Sequence, residues 1–396
     1  MTGVERWLLP DGIAEILPNR ALKVERLRRR LLDLYHSWGY DLVIPPLAEF
    51  TDSLLSGSGS DLELMTFKIT DQISGRMMGV RADITPQVAR MDAHSLRRSG
   101  PNRLCYAGQV LYTRARQPLA SRSPLQVGVE LFGEDGLGAD EEVIALMIET
   151  LRTAGIKGAV LCLGHVGIYR GLEECAELSV AQRGELFQLL QSKASGLETW
   201  LVNNVPDTVI RAALGALPDL AGGIDVLDQA RSALETAPAE VGAALDELTA
   251  VLAATQARFP EAMLSVDLAE LRGYHYHTGI VFAAFAPGTS QALGNGGRYD
   301  HIGEAFGRSR PATGFGADLE TLTMLANDEQ DIGCGIFVPY SEAPSIVAAI
   351  NRLRKNSERV VCGFAGQAPD YRELHCDREL TLGADGQIQI IPVQPR

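Results

Sequence analysis

The sequence predicts a mixed α/β protein, and three patterns in its 396 residues carry that reading. Residues 76–86 and 104–132 alternate apolar and polar side chains with the period-two spacing of strands. Residues 20–38 and 140–151 place apolar side chains at helical spacing. A block from about residue 172 to 258 is rich in Ala, Leu, Glu and Gln and has little strand signal, which marks a helical insertion in a larger domain spanning 1–325. A second, small α/β domain is expected over 332–396, beyond the acidic linker Ala326-Asn-Asp-Glu-Gln-Asp331.

In chain order, Leu22, Val24, Leu27, Leu31 and Leu34 form one apolar stripe among Arg and Glu residues, and Gly39 ends that helix. The run Asp41-Leu-Val-Ile-Pro-Pro-Leu-Ala-Glu49 reads as a strand ended by proline. Asp140, Glu141 and Glu142 open the next helix, where the positive end of the helix dipole favours carboxylates. Strand patterns return at 263–268 and 278–285, followed by the glycine-rich turn Gly294-Asn-Gly-Gly-Arg-Tyr-Asp300 and a helix beginning near Asp318. The last part offers Ile336-Phe-Val, a helix over 343–354, Val360-Val-Cys and Ile388-Gln-Ile-Ile.

Composition narrows the function classes. With 46% hydrophobic residues the chain can bury a full core. A net charge of −14 and a pI near 5.0 argue against a broad nucleic-acid footprint, which needs Lys and Arg to neutralise phosphates, although a local basic groove stays open. No window approaches the roughly 18 to 20 apolar residues of a membrane span, and the start of the chain lacks a secretory pattern. Six cysteines without a C-x-x-C pair suit reduced thiols in the cytoplasm.

Four segments carry candidate chemistry. In Pro124-Leu-Gln-Val-Gly-Val-Glu130 alternation buries Leu125, Val127 and Val129 on one face and presents Gln126 and Glu130 together on the other; a half-solvated strand reads the same way. In Gly79-Val-Arg-Ala-Asp-Ile-Thr-Pro-Gln87, the same alternation puts Arg81, Asp83 and Thr85 on one strand face, where an acid beside a hydroxyl can cradle an ammonium group; a surface ion pair is the plain alternative. In Leu271-Arg-Gly-Tyr-His-Tyr-His-Thr278, Arg272 can clamp a carboxylate with two hydrogen bonds. The His275–His277 pair there has no further Cys or His at ligand spacing, so neither a metal nor any cofactor is expected. The glycines of Gly294-Asn-Gly-Gly-Arg298 let backbone approach a ligand closely but lack the Gly-Lys-Ser/Thr of a phosphate loop.

In order, these segments resemble the histidyl-tRNA synthetase family over residues 5 to about 325. The resemblance implies a class II synthetase-like antiparallel sheet flanked by helices, with Pro46 as the proline of the segment that pairs two copies into a class II dimer. It also implies a histidine pocket made of Asp83, Thr85, Gln126, Glu130, Arg272, Tyr276 and His277, with Glu130 facing the imidazole. The departures fall on the ATP site: Tyr112 stands in place of the first phosphate-binding arginine, with Arg114 in place of the glutamate that orients the nucleotide. Thr321 replaces the second arginine, and Asp318 replaces a glycine. Removing one preorganised donor to a developing phosphate charge costs about 10²- to 10³-fold in rate, so losing two implies no activation chemistry and no catalytic residues.

A synthetase-like frame without ATP chemistry, followed by a tail too short for an anticodon-reading domain, is similar to the regulatory subunits of the short-form ATP phosphoribosyltransferase. That resemblance implies a non-catalytic partner of the short catalytic subunit, assembled as a hetero-octamer, which activates the first step of L-histidine biosynthesis and confers feedback inhibition by L-histidine, without binding tRNA or membrane. Two other readings stay open on sequence: a synthetase-like enzyme using histidine and ATP, and a free-standing histidine-binding module.

Overall fold

The computed structural model describes residues 7–56, 60–115, 120–271, 273–274, 276–289, 291–326, 334–366, 368–383 and 386–393. The chain divides into two compact units, Met1–Asn327 and Asp328–Arg396.

The first unit is built on a nine-stranded sheet. Its strands are β1 (Asp41–Leu42), β2 (Asn102–Gln109), β3 (Leu125–Phe132), β4 (Val160–His165), β5 (Ala221–Gly222), β6 (Met263–Asp267), β7 (Ile280–Phe285), β8 (Gly294–Arg298) and β9 (Ala312–Asp318). They lie in the order β1-β2-β3-β9-β8-β7-β4-β6-β5. From β2 to β4 every neighbouring pair is antiparallel, and β1 and β6 join as parallel strands at the two sides.

One face of this sheet is covered by helices. The helix Pro18–Ser37 starts with a proline, whose fixed φ suits a first helical position. It buries Val24, Leu27, Leu31 and Tyr35, spaced three or four apart along one side. Each fully buried residue of this kind contributes roughly 1.5 to 3 kcal/mol. Leu137–Thr153 is apolar on most of its circumference and packs into the same core, against Val127, Val129 and Leu131 of β3. The stretch from Val166 to Arg258 holds six α-helices, and the last, Ala239–Arg258, runs alongside Leu137–Thr153 and Val166–Cys175.

The opposite face carries a smaller core of Ala82, Ile84, Val88, Leu104, Tyr106, Val110, Tyr112, Phe132 and Tyr299. Beside it lies a three-stranded sheet of Ala48–Phe50, Met77–Val80 and Phe67–Thr70.

Several expected boundaries shift. The run 41–49 is not one strand: pairing stops at Leu42 and resumes at Ala48, because Pro45 and Pro46 have no N–H for a ladder. The strand expected over 76–86 ends at Val80, and Thr85 begins the helix Thr85–Arg90 with Pro86 in its first turn. Residues 104–132 form β2 and β3 with an irregular connection in which Tyr112 bridges Thr66. The expected glycine-rich turn is strand β8, paired with β7 and β9.

The second unit has a four-stranded sheet in the order Val360–Cys362, Gly335–Val338, Cys376–Leu382, Ile388–Pro392. The helix Pro344–Lys355 covers it and buries Ile346, Ala349 and Ile350 against Ile336, Val338 and Leu380. Most of the acidic linker expected at 326–331 lies outside the described residues.

Candidate functional site

The site lies on the face of the sheet away from the large helices. In β3, Gln126, Gly128 and Glu130 point to this face and stand opposite Asp318, Gly316 and Gly314 of β9. The glycines make room: a side chain at Gly314 would collide with the Glu130 carboxylate, and one at Gly316 would press on the Gln126 amide.

Glu130 is 1% exposed. Thr85 Oγ1 donates to its Oε1 at 2.6 Å, Tyr106 donates to the same oxygen at 3.4 Å, and the Tyr299 hydroxyl donates to Oε2. Burial pushes the Glu130 carboxyl up to about 8, and the nearby Asp83 carboxylate adds to the rise against the opposing hydrogen bonds. A second set of bonds runs beside the first. Gln126 Nε2 donates to Asp83 Oδ1 at 3.0 Å, and the Ile84 amide donates to Gln126 Oε1 at 3.1 Å. The Thr85 amide donates to Asp83 Oδ1 at 3.2 Å.

Asp83, Thr85, Gln126 and Glu130 are therefore brought into one network, although not as the alternation of residues 81 to 85 implies. The strand has already ended, so Arg81, Asp83 and Thr85 do not share a strand face: Arg81 turns away and donates to the carbonyls of Gln109 and Pro45. Asp83 and Thr85 reach the site from the bend before a helix and from its first residue.

Tyr276 and His277 come from the turn after Gly273. That glycine has φ +68°, in the left-handed region, and its carbonyl accepts from the Tyr276 and His277 amides at 2.9 Å each. The two rings stack at a tilt with centroids 4.2 Å apart. Tyr276 is 39% exposed and His277 is buried, in a narrow cleft with Glu270, Val281 and Asn295. Burial raises the Tyr299 hydroxyl well above its ordinary value, and Glu130 beside it adds to the rise, with Tyr106 and Tyr276 acting in the same direction. Arg272 and His275 lie outside the described residues.

Sequence reasoning passed over Tyr106 and Tyr299, which hold Glu130 from two sides. Tyr106 shares its strand face with Gly108, and Tyr299 follows the glycines of β8, so the alternation in one and the close backbone packing in the other were the available signals.

The departures at the ATP-site positions are structural as well as chemical. Tyr112 is buried in the smaller core, and Arg114 is exposed. Asp318 caps the helix Leu319–Leu325, its Oδ1 accepting from the Glu320 amide at 2.9 Å and the Thr321 amide at 3.2 Å. Behind the site, Arg298 and Asp140 form a buried ion pair at 2.6 Å, and Arg298 also donates to the carbonyls of Glu134 and Gly136. Among the described residues no cluster of His, Cys, Asp and Glu is placed to hold a metal ion, and no helix is long and apolar enough to cross a membrane.

Residues 12–322 match the family model of histidyl-tRNA synthetase, and residues 333–391 match that of the ATP phosphoribosyltransferase subunit HisZ C-terminal domain. The ATP phosphoribosyltransferase regulatory subunit of Saccharophagus degradans is 56% identical over 96% of this chain and 97% of its own. The protein of the same description from Cellvibrio japonicus is 53% identical over 100% and 99%. This chain belongs to the family of ATP phosphoribosyltransferase regulatory subunits.

Its role is regulatory rather than catalytic, in histidine biosynthesis, which sets aside the reading as a synthetase-like enzyme. Among solved structures, a Bacillus halodurans chain described as an ATP phosphoribosyltransferase regulatory subunit/histidyl-tRNA synthetase superposes with a TM-score of 0.83 at 27% identity, over 94% of this chain and 97% of that one. Histidyl-tRNA synthetase from Nostoc sp. PCC 7120 reaches a TM-score of 0.79 at 17% identity over 98% and 97%, a likeness of fold. The regulatory subunit thus has the class II synthetase-like architecture, with a small α/β domain after it. Membership in the family implies a catalytic partner subunit in the same pathway.

Proposed function

We propose that this regulatory subunit binds L-histidine through Asp83, Thr85, Gln126, Glu130, Arg272, Tyr276 and His277, and passes that signal to a short-form ATP phosphoribosyltransferase catalytic subunit. The carrying observation is the paired network of Thr85 with Glu130 and Asp83 with Gln126, kept beside an ATP position filled by the buried Tyr112. Asp83 suits the α-ammonium group, Arg272 the carboxylate and Glu130 the imidazole. The complex is a cytoplasmic hetero-octamer in which this chain activates the catalytic subunit and histidine inhibits it. Such inhibition requires that histidine bind one state of the assembly better than another, with coupling of about 1 to 3 kcal/mol.

Leu42, Ile44 and Leu47, exposed around Pro45 and Pro46, support self-association of this segment as a class II dimer, a two-fold platform for the partner. Neither tRNA nor a membrane enters this role.

The test is steady-state phosphoribosyl transfer by the catalytic subunit with and without this chain, and with and without histidine. Faster turnover with the chain, lost on adding histidine, is expected. Equal rates in all mixtures sink the assignment. Calorimetry on the isolated chain checks the pocket, where Glu130→Ala must abolish or strongly weaken histidine binding.

A further inference from the structure

Beside the pocket, two buried polar side chains outside the proposed ligand set join it to the exposed Leu42–Leu47 ridge. Gln87 is 1% exposed and Arg81 is 6% exposed. Gln87 Nε2 donates to the Pro46 carbonyl and to Glu49 Oε1, each at 2.8 Å. Arg81 Nη1 donates to the Pro45 carbonyl at 2.9 Å, and its amide to the Leu47 carbonyl at 3.0 Å. Arg90 closes the set with two bonds to Glu49, at 2.6 and 3.0 Å.

Between these anchors, on the same short stretch, Asp83 and Thr85 hold Gln126 and Glu130. One side of residues 81–90 thus meets the ligand network and the other grips the ridge. Two consecutive prolines fix their own φ and restrict the residue before each, so Ile44–Pro45–Pro46 resists local bending. A shift of the Asp83–Thr85 arm is therefore passed to the ridge instead of being absorbed. Buried bonds to main-chain carbonyls serve that purpose well, because leaving either partner unmet is costly.

We infer that Gln87 and Arg81 are positioning residues that couple occupancy of the pocket to the backbone of the ridge. The inference rests on the reading that the pocket takes histidine. It reaches further, because it names the route by which a bound amino acid acts on an association surface.

The experiment is hydrogen exchange of the full chain with and without saturating L-histidine, paired with calorimetry under the same conditions. In the wild type, histidine is expected to slow exchange over residues 80–88 and also over residues 41–49, the latter by about fivefold or more. Gln87→Met keeps the side-chain volume but removes both donated bonds. It is expected to retain protection at 83–86, lose it at 41–49, and bind histidine several-fold more weakly.

Histidine binding to the wild type with no change at 41–49 overturns the coupling and leaves the pocket reading standing. Protection at 41–49 that persists unchanged in Gln87→Met overturns the role of Gln87. No heat and no protection anywhere in the wild type overturns the pocket reading and the coupling together. The wild-type measurement needs no variant, so a poorly folded Gln87→Met does not shelter the inference.

Discussion

The Thr85 hydroxyl donates to the buried Glu130 carboxylate at 2.6 Å across 45 residues of chain. It ties the start of the helix Thr85–Arg90 directly to the centre of the sheet's open face, beside the bond from the Ile84 amide to Gln126 at 3.1 Å and a longer contact between the Thr85 and Tyr106 hydroxyls at 3.4 Å. Thr85→Val keeps the shape and removes the donor, and leaving a buried acceptor short costs about 1 to 3 kcal/mol. Urea unfolding should report a loss in that range, whereas Thr85→Ser should stay close to wild type. Equal stability of the valine and serine variants would falsify the bond's structural weight.

Glu130 sets a pH dependence whose sign follows from its raised pKa. The unfolded chain releases this proton near the ordinary value of 4.5, and the folded chain holds it to about 8. In that window the unfolded state binds fewer protons, so this group's contribution to stability falls as pH rises from about 4.5 to about 8 and is fully present below that window. Urea midpoints for Glu130→Gln should fall less steeply with pH than those of the wild type over the same range. Parallel slopes would show that Glu130 titrates normally.

Restoring the arginine at position 112 should not restore chemistry. Tyr112 is 7% exposed and packs with Leu104, Val110 and Phe132, so Tyr112→Arg drives a long charged side chain into a place that a ring now fills. Asp318 and Thr321 still leave the phosphates without a second cation. The expected result is a lower unfolding midpoint with ATP–pyrophosphate exchange at background, and any measurable exchange contradicts it.

The ion pair of Arg298 and Asp140 is shielded from water on both sides, at 9% and 0% side-chain exposure. Removing only one partner strands a buried charge and should destabilise by about 3 to 5 kcal/mol. Arg298→Met with Asp140→Leu should recover much of what Arg298→Met alone loses. A double variant no better than the single one would mean that the bonds from Arg298 to the Glu134 and Gly136 carbonyls dominate.

Legibility in the sequence depended on distance along the chain. Gln126 and Glu130 were readable because a single strand carries both and its period is two. For Asp83 and Thr85 alternation implies a shared strand face, but a helix begins at Thr85 with Pro86 in its first turn, so the two reach the network from a bend instead. The strand read from Asp41 onward is ended by proline, as its sequence implies, and it is short: the ladder stops at Leu42, before the two residues that lack amide hydrogens. Which residues Tyr299 and Arg298 meet is not legible: Glu130 and Asp140 lie 169 and 158 residues away, and no local periodicity encodes such a meeting.

Gly314 and Gly316 leave a floor with no side chains of its own, so the polar atoms above it arrive from β3 and from the Asp83–Thr85 arm. The mutational landscape there should consequently be lopsided. Positions that touch nothing chemically will tolerate almost no substitution, because even a methyl group invades space already claimed by Glu130 and Gln126. Positions supplying the polar atoms will accept close chemical mimics. In a saturation scan scored for folding alone, with no histidine present, the bare glycines should already stand out as depleted, and their intolerance would record the volume reserved above them, not contact with a ligand.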